Sequence, residues 1–280
     1  MKRKTKAVRP WMYLLAGPLI IALLVVVGWT ALSLFRPSAQ PAGTSSVVVV
    51  VPTSVPPTTQ TTRPTTVPTQ QQKEDEGTPP PLDSLPDTQY VRVADYVPGV
   101  YIDLRYATAD NITGRPIYTF TDAWLRCGTV KKLVAAQAML REYGMSLKIW
   151  DAYRPMEAQW ALWEAMPDGK YIANPEHGYR SHNLGGSLDV TLVTLAGREV
   201  SMPSGFDDFT AAGDREFSDV SEMAAYNASL LDRTLLACGL QQYINEWWHY
   251  DDTVTYEYDE SFTVPPDGTT TADLLGYTAP

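Results

Sequence analysis

Three histidines occur in this 280-residue chain, His177, His182 and His249, and two of them stand in strings that could hold a metal. His182 opens the run His182-Asn183-Leu184-Gly185-Gly186-Ser187-Leu188-Asp189. Fully extended, seven residues would part His182 from Asp189 by about 23 Å, so both can reach one ion only if the chain doubles back. Gly185-Gly186 supplies the backbone freedom for that bend. Asp189 would then begin a strand, with Leu188 and Val190 on its other face. The second run is Glu246-Trp247-Trp248-His249-Tyr250. In a regular strand residues i and i+3 face opposite sides, so Glu246 must sit on a turn or bulge to approach His249. Two imidazoles and one carboxylate with a fourth position open form the pattern of catalytic zinc. A carboxylate beside such a site that is not itself a ligand can take a proton from the attacking water. Glu246 suits that role. Each of these residues also has a plainer reading, as a hydrogen-bonded core histidine, a capping aspartate or a surface glutamate. His177 is expected as a loop residue or a hydrogen-bond donor behind the site.

Taken in order, Asp151-Ala152-Tyr153-Arg154-Pro155, then His182 with Asp189, then Glu246-Trp247-Trp248-His249 resemble the D-Ala-D-Ala dipeptidases of vancomycin-resistance type. More distantly they resemble the zinc D,D-carboxypeptidases of the same fold. The resemblance covers most of residues 88–252, including Leu147-Lys148-Ile149-Trp150 leading into the arginine motif. It implies one Zn2+ per domain held by His182, Asp189 and His249, with Glu246 as general base and Arg154 steadying the oxyanion. It also implies that Asp207, Ser181 and Tyr153 meet the substrate, Asp207 at its ammonium end. One position departs from the family pattern. Arg180 stands two residues before the first ligand histidine, where the family usually has serine, with Ser181 adjacent. An arginine there is expected to bind the substrate carboxylate more strongly than serine, or differently.

These residues need a framework. Tyr90–Val97 and Val100–Tyr106 read as extended, the latter running toward a turn at Asp110-Asn111. Thr129–Tyr143 has helical spacing, with Gly144 where a left-handed C-cap falls. Met145–Trp150 reads as a buried strand that Pro155 separates from a helix over Met156–Met166. Ser187–Leu195 reads as a strand closed by a turn at Ala196-Gly197. Ser218 or Asp219 is expected to cap a helix running to Cys238, followed by strands over Leu240–Ile244 and Trp247–Tyr250. The clustering of helices and strands argues for an α+β domain. With the resemblance, the expectation is helices packed on a small antiparallel sheet that carries the zinc site.

Composition divides the chain into three. Residues 1–10 hold five basic residues and no acid, and residues 10–35 carry no charge. Residues 1–36 are expected as a cytoplasmic basic tip and a transmembrane anchor with the rest of the chain outside. A cleaved signal peptide is the competing reading, although its apolar core would be shorter. Residues 37–86, rich in Pro, Thr, Ser and Gln, are expected as a disordered spacer reaching, at roughly 3.1 Å per residue, something over 100 Å. Residues 87–280 are expected as the dipeptidase domain. Residues 1–82 carry a net +5 and the whole chain −10, so the remainder carries −15. Such a domain is a poor binder of nucleic acid or anionic wall polymers.

The expected partners are a small D,D-dipeptide or a peptidoglycan fragment, with the membrane engaged through the N-terminal helix. A D,D- or L,D-carboxypeptidase trimming stem peptides, and a non-catalytic wall-peptide-binding ectodomain, are the alternatives. Cys127 and Cys238 either pair outside the cytoplasm or serve as small buried hydrophobes.

Overall fold

The structure is a computed structural model and describes residues 78–278. Among these, no helix is long and apolar enough to cross a membrane. The expected anchor (1–36) and residues 37–77 of the expected spacer lie outside the described residues. The spacer's last stretch, 78–86, is a correction, since it forms a 3-10 turn over Leu82–Ser84 and packs Leu82 and Leu85 against the main core.

The elements run β1 (Tyr90–Arg92), α1 (Val93–Tyr96), β2 (Tyr101–Ile102), β3 (Trp124–Arg126), α2 (Cys127–Arg141), β4 (Met145–Asp151), α3 (Met156–Ala165), β5 (Ser187–Thr194), α4 (Glu222–Ala237), β6 (Leu240–Tyr243), β7 (Glu246–Asp252) and α5 (Thr271–Leu275). Five strands form the main sheet in the order β2-β4-β5-β7-β6, and β1 pairs with β3 in a separate ribbon. The fold is α+β, as expected. The sheet is not wholly antiparallel, because β2 runs parallel to β4. This is possible because β3 and α2 intervene between the two strands, giving the long crossover that parallel pairing needs.

Alternation sets the faces of the central strands. Leu188, Val190 and Leu192 of β5 and Leu147 and Ile149 of β4 are fully buried in one core with Leu133 and Leu140 of α2 and Leu231 and Leu235 of α4. The opposite face is left for polar groups. Helix α2 ends near Gly144, whose φ of +71° is the left-handed conformation the sequence suggested.

Two further expectations are corrected. Tyr90–Val97 is not one strand: after three residues it turns into α1. Helix α4 is capped by Ser221, whose hydroxyl accepts from Ala224 N, and not by Ser218 or Asp219, which belong to a 3-10 turn over Phe217–Asp219. Cys127 and Cys238 are both free thiols. Cys127 is buried in the main core and Cys238 is half-buried against it, the second of the two readings.

Candidate active site

The polar face of the sheet carries a single row of functional groups across three adjacent strands. Asp151 of β4 lies opposite Asp189 of β5, and Asp189 lies opposite His249 of β7. Asp151 reaches this row through an irregularity. Up to Ile149 the β4–β5 register is regular, and Ile149 faces the core opposite Val190. Two residues further, Asp151 would face the core as well. A one-residue shift at Trp150 turns it to the other face, which is what a bulge does to side-chain direction.

His182 arrives from outside the sheet. It sits on a 3-10 turn over Ser181–Leu184 that ends at Gly185, where φ is +78°. A Cβ on Gly185 would stand 2.4 Å from the Tyr90 ring, so both the backbone angle and the packing require glycine. The chain thus folds back at the predicted place. His182 Nδ1 lies 2.8 Å from the Ala152 carbonyl and donates to it, which leaves Nε2 facing the sheet.

His182 Nε2, His249 Nδ1 and Asp189 Oδ1 converge. Their separations are 3.2 Å between the imidazole nitrogens, 2.9 Å from His249 to Asp189 and 3.5 Å from His182 to Asp189. A tetrahedral ion with ligands at about 2.0–2.1 Å spaces them by about 3.3 Å, so these atoms fit one such ion. The two-nitrogen, one-oxygen set excludes the oxygen-rich cages of calcium and magnesium and suits a borderline-soft metal. All three residues are buried. His249 Nε2 faces Asp251 Oδ1 at 3.2 Å, and Ser187, directly across the strand pair, donates to the same carboxylate at 2.5 Å.

Glu246 stands beside this cluster, its Oε2 3.8 Å from His249 Nδ1. The bulge that its i,i+3 spacing demanded is present. Gln242 of β6 pairs with Tyr250, yet Tyr243 pairs with Glu246, so residues 247–249 have no partner in β6 while His249 stays paired with β5. Burial pushes the Glu246 carboxyl up to about 7, opposed by His249 and helped by the charge of Asp189. A cation on the ligands would draw it back down.

Arg154 is buried, its Nη2 3.8 Å from Asp189 Oδ2. Asp207 is half-buried, and its carboxylate accepts from Tyr106 Oη at 3.1–3.2 Å. Burial and the nearby Asp189 raise the Asp207 pKa well above the usual carboxylate range. Ser181 Oγ lies 3.5 Å from His249 Nε2. Arg154, Asp207, Ser181, Glu246 and the three ligand candidates all line one cavity of about 200 Å3. That is smaller than the roughly 300–1,000 Å3 of pockets for drug-sized ligands. Ser181 (φ +47°) and Asp207 (φ +54°) are the non-glycine residues with positive φ among those described, and both line this cavity. Strain of this kind gathers at ligand clamps.

Tyr153 is a correction. It does not line the cavity but packs with Tyr90, Trp124 and Phe262 in a small second core, because the turn after β4 sends Arg154 inward and Tyr153 the other way. Arg180 is exposed and lies off the cavity wall. His177 is exposed on a 3-10 turn. Residues that sequence reasoning missed include Asp151 as the anchor of Arg154, Tyr106, Gln159 and Asp251. The three-residue spacing of Asp151 and Arg154 was a usable signal for the first; nothing local announces the others.

A family model described as D-Ala-D-Ala dipeptidase, of the peptidase M15 group, matches residues 86–265. The chain is 34% identical over 164 residues to the D-alanyl-D-alanine dipeptidase of Escherichia coli, spanning 59% of this chain and 84% of that protein. It is 32% identical over 182 residues to the one from Streptomyces coelicolor, spanning 56% and 88%. It is 33% identical over 172 residues to the one from Enterococcus faecalis, spanning 54% and 85%.

Proposed function

Since the chain belongs to the M15 peptidase family of D-Ala-D-Ala dipeptidases, a family of metal-dependent peptidases, we propose that it hydrolyses D-Ala-D-Ala or a close D,D-dipeptide with zinc as its metal. His182, Asp189 and His249 would hold the ion. Zinc so bound supplies Lewis-acid polarisation and makes water nucleophilic near neutral pH.

The chain's own residues divide the remaining work. Glu246, at 3.8 Å from His249, takes the proton of the attacking water and returns it to the leaving amine. The Arg154 guanidinium steadies the developing oxyanion from a buried position where its charge is little screened. Asp207, oriented by Tyr106, accepts the substrate ammonium. Ser181 lies at the wall nearest His249, where the substrate carboxylate is expected.

The observation that carries this reading is the row of Asp151, Asp189 and His249 with His182 and Glu246 folded onto it. The small cavity and its acid favour a free dipeptide over a longer stem peptide. Incubating the protein with D-Ala-D-Ala and with muropeptides in parallel ranks the two. D-alanine release is expected to require the metal and to stop with a chelator. Glu246→Gln should keep zinc and lose about 10²–10⁴-fold in kcat; wild-type turnover in that variant would remove Glu246 as the base. The basic tip and the uncharged run 10–35 support a domain tethered on the outer side of a membrane, which fractionation and protease protection of intact cells would test.

A further inference from the structure

The Arg154 guanidinium is held along two edges. On one, Nε and Nη2 donate to Asp151 Oδ2 at 3.0 and 2.7 Å. Asp151 is itself fixed, fully buried and accepting from Tyr118 Oη at 2.6 Å and Ala152 N at 2.9 Å. On the other edge, Nη1 donates to Gln159 Oε1 at 3.0 Å. Gln159 lies near the start of α3 and is buried. Its amide nitrogen donates in turn to the Ala173 carbonyl at 2.7 Å.

Ala173 belongs to the segment 169–173, which follows α3 and forms one wall of the cavity. Tyr243, from the far edge of the sheet, holds the same segment by donating to the Lys170 carbonyl at 2.7 Å. A primary amide is one of the few side chains able to accept from a guanidinium and donate to a carbonyl at once. A carboxylate could do only the first, and an apolar residue of the same length neither.

We propose that Gln159 is a positioning residue that ties Arg154 to the cavity wall 169–173, so that the group facing the oxyanion and the surface enclosing the dipeptide are set together. The inference rests on the reading of Arg154 given above. Without Gln159 the guanidinium keeps its Asp151 edge but is free to swing about it. A misplacement of about 1 Å in a group of this kind costs on the order of 10²-fold in rate.

The test uses the full-length, zinc-loaded protein, with steady-state kinetics on D-Ala-D-Ala, amide exchange over 169–173 and melting temperature. Gln159→Met, which makes neither bond, should lower kcat by about 10–100-fold, raise KM about tenfold and quicken exchange in 169–173. Gln159→Glu keeps an acceptor for Arg154 but cannot donate to Ala173. It should recover most of kcat while KM rises about tenfold and exchange stays fast. Adding Gln159→Met to Arg154→Ala should lower kcat no further, since both act through one group. Wild-type kcat and KM in both Gln159 variants would overturn the proposal, as would equal losses in both that track melting temperature. If Arg154→Ala retains wild-type kcat, the assignment of Arg154 itself falls, and this inference falls with it.

Discussion

Asp207 and Ser181 hold backbone angles that cost free energy, and both border the cavity. At Asp207 the cost is compounded by holding a carboxylate partly out of water near Asp189. Asparagine tolerates the left-handed region and keeps the shape without the charge. Asp207→Asn should therefore leave the melting temperature unchanged or raised, while KM for the dipeptide rises about 10–100-fold, the worth of a charged hydrogen bond. A KM unchanged in that variant would place the ammonium elsewhere. Asp251 offers a second test. Its carboxylate accepts from Nε2 of His249 and so fixes the ring with Nδ1 toward Asp189. Asp251→Asn is expected to weaken zinc binding by about 10–100-fold, measured by chelator competition without reference to turnover. Equal zinc affinity in the variant would show that the sheet alone orients the ring.

Secondary structure explains why this site was only partly legible. The ligand strings, the bend at Gly185 and the strands Met145–Asp151 and Ser187–Thr194 announce themselves through local chemistry and spacing. The bulge at Glu246 could be inferred because i and i+3 must share a site. The shift at Trp150 could not, since nothing in that strand's own composition demands it; it follows from pairing with β5. Tyr106 and Gln159 meet their partners only through tertiary packing, from positions 101 residues from Asp207 and 14 from Ala173. The helix α4 boundary failed for a related reason. Ser218, Asp219 and Ser221 are all good caps, and the 3-10 turn carrying Phe217, which packs against the core, decides among them. Ser221→Ala should cost about 1 kcal/mol. In a domain of this size that lowers the melting temperature by about 2–4 °C. Turnover at 25 °C should be unaffected; a loss of activity would mean the helix reports to the site.

Over the molecule as a whole, the proposed zinc is also a source of stability, because it binds the folded chain and not the dispersed ligands of the unfolded one. At a free concentration 100 times its dissociation constant it would add about 2.7 kcal/mol. A chelator should then lower the melting temperature by about 5–10 °C, restored by zinc. No change on chelation would argue that the three side chains hold no ion. The row that gathers Asp151, Asp189 and His249 has one more consequence, in the order of events as the chain is made. Its members come from β4, β5 and β7, the first ending at Asp151 and the last beginning only at Glu246. A nascent polypeptide emerges from its amino end, so a copy made only as far as β5 owns His182 and Asp189 but neither His249 nor Glu246. On the proposed reading, metal capture and hydrolysis therefore begin together, and only once β7 has been made.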